Sequence, residues 1–156
     1  MALFKPDEIF QFAIRIEENG EKFYRAMADK FDDPKLKETF SYLADEEIKH
    51  KRLYEDMATT VEKYEPFETY PEEYFAYMRA YADTIIFSPD KIEEKIEKIS
   101  DPGSALEFAI ATELDSILYY QEVKNLVSEK RRSVIDKIVD EERRHFVKLT
   151  DLKKEL

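Results

Sequence analysis

Hydrophobic residues recur in steps of three and four along four long segments of the chain, the spacing that aligns side chains on one face of an α-helix. Prolines mark where several of these segments begin, because proline suits the first turn of a helix, where its missing N–H would have no partner. The predicted long helices cover residues of about 6–31, 34–60, 102–127 and 129–154. The pattern therefore predicts an all-α fold.

The segment 61–101 separates the second long helix from the third and is rich in Tyr and Phe. This composition is not typical of a disordered linker, so we expect two short helices, from Pro71 to about Phe87 and from Pro89 to Ile99. The layout is that of a four-helix bundle with one long crossover, in a single domain over residues 1–156. The crossover aromatics are expected to serve in packing or in a dimer interface.

The absence of cysteine limits the chemistry of the chain. Without thiols there are no disulfides, thiolate zinc sites or iron–sulfur clusters, so any metal must be held by Asp, Glu and His. The 36 acidic residues outnumber the 25 basic ones, and the net charge of −11 would repel nucleic acid and anionic membranes. No segment has the pattern of a membrane span or a signal peptide, and we expect a cytoplasmic protein.

The two halves of the chain repeat one another. The segment 10–14 is similar to the segment 106–110, 96 residues later, and the run 45–50 is similar to the run 140–145, 95 residues later. Each half thus carries one Glu on its first helix and a Glu-x-x-His motif on its second. The six residues are Glu17, Glu47, His50, Glu113, Glu142 and His145.

These six residues lie within the four apolar stripes. The stripes are Phe10, Ala13, Glu17, Gly20, Tyr24, Met27 and Phe31; Leu36, Phe40, Leu43, Glu47, His50, Tyr54 and Met57; Leu106, Ala109, Glu113, Ser116, Tyr120, Val123 and Val127; and Ile135, Ile138, Glu142, His145, Leu149 and Leu152. Four buried carboxylates are costly without partners, and the stripes hold no Lys or Arg. Two divalent metal ions would neutralise them, and the small residues Ala13, Gly20, Ala109 and Ser116 leave room for further ligands.

Two motifs resemble a known family. The pattern Ala13-Ile14-x-x-Glu17-x-x-Gly20-x-x-Phe23-Tyr24, followed by Asp45-Glu46-Glu47-x-x-His50, is similar to the rubrerythrin branch of the ferritin-like di-iron carboxylate proteins. The resemblance covers the four long helices. It implies two iron ions held by the six Glu and His residues, with Glu47 and Glu142 bridging; manganese or a mixed Mn/Fe pair also suits such ligands. It further implies a homodimer.

The sequence departs from this family at two points. Rubrerythrins usually carry a rubredoxin-like domain with four cysteines, and this chain has no cysteine, so we expect electrons to come from a separate donor. Rubrerythrins also carry an extra carboxylate one turn after the Glu of the third helix, where this chain has Ser116. That extra ligand is associated with iron movement during peroxide turnover.

The resemblance implies a non-haem di-iron oxidoreductase that reduces hydrogen peroxide or oxygen. A ferroxidase or iron-storage protein is an alternative, and so is a metal-stabilised bundle with a structural or partner-binding role. Tyr24 and Tyr120 lie seven residues after Glu17 and Glu113. Their expected role is either to hydrogen-bond metal ligands or donate electrons to an oxidised site, or to pack as ordinary core aromatics.

Several charged residues near the motifs receive separate interpretations. Asp45 and Asp140 are candidate acceptors for a His N–H from a neighbouring helix. Glu46 and Glu141 precede the predicted ligands and are interpreted as solvated charges. The pairs Arg131-Arg132 and Arg143-Arg144 are interpreted as surface charge.

Overall fold

The structure, a computed structural model, describes residues 6–59 and 72–156. Within these ranges the chain forms helices and no strand. The helices are α1 (Pro6–Lys30), α2 (Pro34–Thr59), α3 (Glu72–Ile85), α4 (Pro89–Lys98), α5 (Pro102–Lys124) and α6 (Glu129–Lys154). The predicted all-α fold is confirmed. The predicted helix start at Pro71 and the crossover residues Tyr64, Phe67 and Tyr70 lie outside the described ranges.

Side-chain caps explain where the helices begin. Asp101 precedes α5 and accepts a hydrogen bond from the backbone N–H of Ser104 over 2.9 Å, while Pro102 occupies the first turn. Asp33 precedes α2 and accepts from the backbone N–H of Leu36 over 3.1 Å. Such caps satisfy N–H groups that have no partner inside the helix. The prolines and the acidic residues beside them are therefore local signals that act as the sequence predicts.

Two helices end two or three residues before their approximate predicted ends. The helix expected to reach residue 127 ends at Lys124, because the chain turns there and buries Leu126 and Val127 against the core. The first crossover helix ends at Ile85 rather than at Phe87. There the side-chain amide of Asn19 donates to the Phe87 carbonyl over 2.8 Å, which holds the chain in its turn toward α4. In both cases a tertiary contact replaces a continuing helical turn.

The four long helices form a ring in which α1 packs on α2 and α5, and α6 packs on α5 and α2. Neighbouring helices run antiparallel, because a residue late in one helix contacts a residue early in the next. Across α1 and α5, Tyr24 pairs with Glu113 and Glu17 with Tyr120. It follows that α2 and α5, which lie diagonally, run parallel, so the chain between them must traverse the bundle. This requirement explains the long crossover.

The crossover covers the outside of α1 and α5. The ring of Tyr81 on α3 stacks on that of Tyr119, with centroids 5.8 Å apart, and the ring of Phe87 stacks on that of Phe108 at 6.0 Å. The α3 residues Phe75 and Met78 are buried in the same core. The prediction that the crossover packs on the bundle is confirmed for its described part.

Each residue of the four predicted stripes is buried. The interpretation of Arg131 as surface charge is wrong: the residue is buried, and its guanidinium lies over the Phe10 ring, 5.3 Å from the centroid. A guanidinium on an aromatic face keeps a favourable electrostatic contact when its exposure is low. None of the described helices is long and apolar enough to cross a membrane.

Candidate metal centre

The six predicted ligands come together at the middle of the bundle, one or two from each long helix. α1 supplies Glu17 and α5 supplies Glu113, whereas α2 and α6 each supply a Glu and a His through the Glu-x-x-His spacing. A separation of three residues places both side chains of such a motif on one helix face. All six are at most 4% exposed.

The ligand atoms form two overlapping clusters. One cluster contains Glu17, Glu47, His50 and Glu142, and the other contains Glu47, Glu113, Glu142 and His145. Within each cluster one possible ligand atom per residue lies within 4.8 Å of the others. Glu47 and Glu142 belong to both clusters, while each remaining residue belongs to one. The arrangement therefore has the form of two adjacent sites that share two carboxylates.

Both histidines direct Nδ1 toward the carboxylates. Nδ1 of His50 lies 2.7 Å from Oε1 of Glu142 and 3.6 Å from Oε2 of Glu17. Nδ1 of His145 lies 3.7 Å from Oε1 of Glu113 and 4.0 Å from Oε1 of Glu142. The two rings are stacked with centroids 5.9 Å apart. Each cluster thus contains one imidazole nitrogen, Nδ1 of His50 in the first and Nδ1 of His145 in the second.

Several of these buried atoms have no hydrogen bond of acceptable geometry among the described residues. They are Oε2 of Glu17, Oε2 of Glu113, Oε1 of Glu142 and Nδ1 of both histidines. Buried polar atoms almost always have a partner, because an unsatisfied one costs about 1–3 kcal/mol. Oxygen and nitrogen atoms that converge without bonding one another are the donor set of a metal ion. The residues present therefore fit a pair of divalent ions.

Electrostatics also show that the carboxylates need a cation. Burial, followed by the charges of Glu17 and Glu142, raises the pKa of Glu47 well above its usual range. Burial and the charge of Glu113 do the same to the pKa of Glu142. The ion-pair partners of Glu17, Glu113 and Glu142 within the described residues are the two histidines. Without metal, protons must take the place of the missing positive charge.

The same charges act on two groups at the opposite ends of the site. Burial alone would lower the pKa of His50, but the charge of Glu17 and the adjacent carboxylate oxygens of Glu142 and Glu17 raise it to about 12. Burial would raise the pKa of Glu113, but the adjacent Glu142 carboxyl group and His145 imidazole lower it. These shifts favour a protonated imidazole at one end of the metal-free centre and an ionised carboxylate at the other.

Tyr24 and Tyr120 both hydrogen-bond to predicted ligands. The hydroxyl of Tyr24 donates to Oε1 of Glu113 over 2.6 Å, and that of Tyr120 donates to Oε1 of Glu17 over 2.5 Å. Each tyrosine reaches the Glu of the opposite helix, because seven residues span about 10 Å along its own helix. Both tyrosines are fully buried. These bonds fix one oxygen of each carboxylate and leave the other facing the cluster.

The acceptor for His50 is Glu141, which corrects two interpretations. Nε2 of His50 lies 2.5 Å from Oε2 of Glu141, a residue taken from the sequence to be solvated. Asp45 and Asp140 are exposed and instead bind Arg25 and Arg143, at 2.6 and 2.8 Å. Because α2 and α6 are antiparallel, the residue before Glu142 faces the histidine of the other motif. The second glutamate, which directly precedes the Glu-x-x-His motif of α6, was the signal for this contact.

Glu46 occupies the equivalent position in the first half. Its side chain is only 12% exposed and accepts hydrogen bonds from Lys49 and from the Tyr42 hydroxyl, the latter over 3.0 Å. Burial would raise its pKa, but the hydrogen bonds from Lys49 and Tyr42, followed by the charges of Lys49 and His145, lower it. Glu46 is therefore a bound carboxylate near the second cluster rather than a solvated charge.

Gly20 decides where the Glu47 carboxylate lies. A Cβ at position 20 would be 2.6 Å from Oε2 and 2.9 Å from Cδ of Glu47, closer than such atoms approach. The glycine thus lets a carboxylate from α2 rest against the backbone of α1. The repeat places Ser116 at the equivalent position of α5, where a side chain is accommodated.

Comparisons with known proteins agree with this geometry. A family model described as Rubrerythrin matches residues 8–153. A crystal structure from Thermotoga maritima, described as that of a ferritin-like diiron-carboxylate protein, has 28% sequence identity and a TM-score of 0.76, and the match covers 99% of this chain and 98% of that one. No curated protein matches the chain. The fold is thus that of a ferritin-like helical bundle, and the chain belongs to the rubrerythrin family.

Proposed function

We propose that the chain binds two iron ions at this centre and reduces hydrogen peroxide or oxygen, with electrons from a separate donor. The observation that supports this most directly is the pair of overlapping clusters, each with one histidine and with Glu47 and Glu142 in common. Their membership of both clusters supports a role for these two residues as the carboxylates that would bridge the ions, with Glu17 and Glu113 as ligands that would each hold one ion. We also propose that the chain forms a homodimer, as its family membership implies.

Two bound ferrous ions would supply the two electrons that convert one hydrogen peroxide and two protons into two waters. The surrounding residues have three roles in this reaction. The buried stripes exclude bulk water from the centre. Tyr24 and Tyr120 hold protons at oxygens of Glu113 and Glu17, beside the reacting centre. The carboxylates favour the higher charge of oxidised metal, because negative ligands stabilise positive charge at short distance.

The proposal is tested by loading the protein with Fe(II) without oxygen, measuring iron per chain, and mixing it rapidly with peroxide or oxygen. We expect two irons per chain and complete oxidation by one peroxide for every two irons. Glu113→Gln should lose at least one iron, whereas Glu107→Gln, on an exposed position of the same helix, should bind two. The ultraviolet absorbance of ferric iron reports the oxidation.

Three outcomes would contradict the proposal. Two metals that react with neither oxidant would indicate a metal-stabilised bundle with another role. Rapid oxidation by oxygen, with ferric iron accumulating beyond two ions per chain in a large assembly, would indicate iron storage. Less than half a metal ion per chain after every loading attempt would mean that the cluster is a buried polar network without metal.

A further inference from the structure

A row of tyrosine rings connects the metal centre with the protein surface. It begins at Tyr120, whose hydroxyl is bonded to Glu17, and continues through Tyr119 and Tyr81 to Tyr77. The successive ring centroids are 6.0, 5.8 and 6.4 Å apart. All three separations lie within the range of contacting aromatic rings.

The two ends of the row differ in exposure. Tyr120 is fully buried and Tyr119 is 1% exposed, whereas Tyr77 on α3 is 42% exposed. The row therefore leads outward through α5 and the crossover helix without a gap. A single tyrosine beside a metal ligand does not by itself indicate electron transfer. A continuous series of tyrosine rings that ends in solvent provides a route for electrons between the centre and the surface.

The hydroxyl groups in this row have a cost that phenylalanine would avoid. Tyr119 must donate to the carbonyl of Ile9 over 2.9 Å, and Tyr81 donates to the carbonyl of Asp115. A buried hydroxyl needs such a partner, whereas a phenyl ring at the same place needs none. Phenylalanine is common elsewhere in the chain, with 11 residues. What the phenol adds is a ring that can be oxidised.

We propose that this row carries oxidising equivalents from the metal centre to Tyr77, where a one-electron donor replaces them; the inference rests on the proposed redox function. Tyr120 gives one electron to the oxidised centre, and its hydroxyl proton moves to Oε1 of Glu17. Tyr120 regains an electron from Tyr119 and its proton from Glu17. Tyr119 then regains an electron from Tyr81, and Tyr81 regains one from Tyr77. The phenolic proton of Tyr77 goes to water.

The net change is one electron gained by the centre and one electron and one proton lost by Tyr77. While the ring of Tyr119 or Tyr81 lacks an electron, its phenolic proton shifts along the hydrogen bond toward the carbonyl oxygen of Ile9 or Asp115, and it returns when the ring regains the electron. A donor that supplies one electron, with a proton from water, restores Tyr77. The tyrosine row thus supplies electrons to an oxidised centre, and Tyr77 is the surface position at which the donor delivers them.

Tyr42 provides a competing route. It is 44% exposed, and its ring lies edge-on to that of His145, with centroids 6.1 Å apart. The ammonium of Lys148 lies over this ring, 4.8 Å from its centroid. A cation on the ring face opposes removal of an electron from the ring, so the longer row is the favoured path. Tyr42 is therefore the matched control.

The test uses flash photolysis on the iron-loaded chain in the ferrous state, without peroxide. A photo-oxidised ruthenium tris-bipyridine complex removes an electron from surface tyrosine, and the absorbance of ferric iron reports when the oxidising equivalent reaches the centre. We expect Tyr77→Phe and Tyr119→Phe to slow this step at least tenfold and Tyr42→Phe to leave it unchanged. Iron content and thermal unfolding identify any variant that is misfolded, and Tyr77→Phe, at an exposed position, remains informative if Tyr119→Phe is not.

The result also separates the two proposals. Unchanged rates in the folded row variants, or slowing in Tyr42→Phe alone, would overturn the tyrosine route while leaving peroxide reduction intact. Normal transfer along the row in a protein whose ferrous iron resists peroxide and oxygen would overturn the proposed function alone. A chain that binds no iron would remove both.

Discussion

The hydroxyl of Tyr24 on α1 donates to Oε1 of Glu113 on α5 over 2.6 Å, and the repeat mirrors this bond between Tyr120 and Glu17. Both bonds lie within the buried centre and join the two helices that each supply a single glutamate. The hydrogen bonds therefore orient the Glu113 and Glu17 carboxylates and tie the halves of the repeat together. This relationship makes the tyrosines testable independently of any turnover.

Replacement of Tyr24 by Phe should lower metal affinity by about tenfold, because the loss of a partner that orients a ligand typically costs 10–100-fold. It should also lower the free energy of unfolding of the metal-free protein by about 1–3 kcal/mol, since one carboxylate oxygen loses its bond. Metal titration and urea unfolding measure the two effects. Tyr119→Phe is the control for affinity, since its hydroxyl serves the Ile9 carbonyl. Equal affinities of the two variants would contradict an orienting role for Tyr24.

Replacement of Gly20 by Ala should remove metal without unfolding the protein. The new Cβ would collide with the end of the Glu47 side chain. This side chain can move away at little cost to the stability of the fold, but its carboxylate would then leave the metal centre. Alanine also favours a helix over glycine by about 1 kcal/mol. We expect at least a tenfold loss of metal affinity with unchanged or raised thermal stability of the metal-free form. Ser116→Ala, at the equivalent position of the repeat, should keep its affinity; a Gly20→Ala protein with full affinity would show that Glu47 does not need this space.

Replacement of Glu141 by Gln should weaken metal binding by about tenfold, because the carboxylate bonded to Nε2 of His50 makes that imidazole a stronger ligand. Asp140→Asn changes the adjacent exposed carboxylate, which binds Arg143, and should have no effect. Competition with a coloured chelator measures both affinities. Weaker binding in Asp140→Asn than in Glu141→Gln would restore the interpretation made from the sequence.

The metal-free protein should become less stable as the pH rises from 5 to 8. The pKa values of Glu47 and Glu142 are raised by burial and by neighbouring carboxylates, and that of His50 is raised to about 12. The folded state thus binds more protons than the unfolded state above the unfolded pKa of these groups, about 4.3 for Glu and 6.5 for His. Stability then falls as pH rises. The contribution of His50 is complete below 6.5 and is lost as the pH rises toward 12.

Urea unfolding in the presence of a chelator, at pH 5, 6.5 and 8, measures this dependence. Iron-loaded protein is the matched comparison, and it should show the opposite trend, because metal competes with protons for the same ligands. A metal-free protein that gains stability toward pH 8 would show that the carboxylates are already neutralised by another cation.

The fold could be predicted to this extent because its signals are local. Steps of three and four residues define a helix face whatever the rest of the chain does, and each residue of the four stripes is indeed buried. Proline and aspartate at positions such as 101 and 102 fix helix starts through hydrogen bonds within a few residues. The convergence of the six Glu and His residues follows from the same periodicity combined with the repeat.

Other features depend on how the helices face one another, which periodicity does not encode. The pairing of Tyr24 with Glu113 rather than with Glu17, and of His50 with Glu141 rather than with an aspartate, follows from the antiparallel register of neighbouring helices. The burial of Arg131 depends on the Phe10 ring above it. The sequence by itself determined the helices, their buried faces and the residues gathered at the centre, because these follow from spacing along one chain. Only the tertiary structure decided which partner each buried polar group meets, because that depends on contacts between helices distant in sequence.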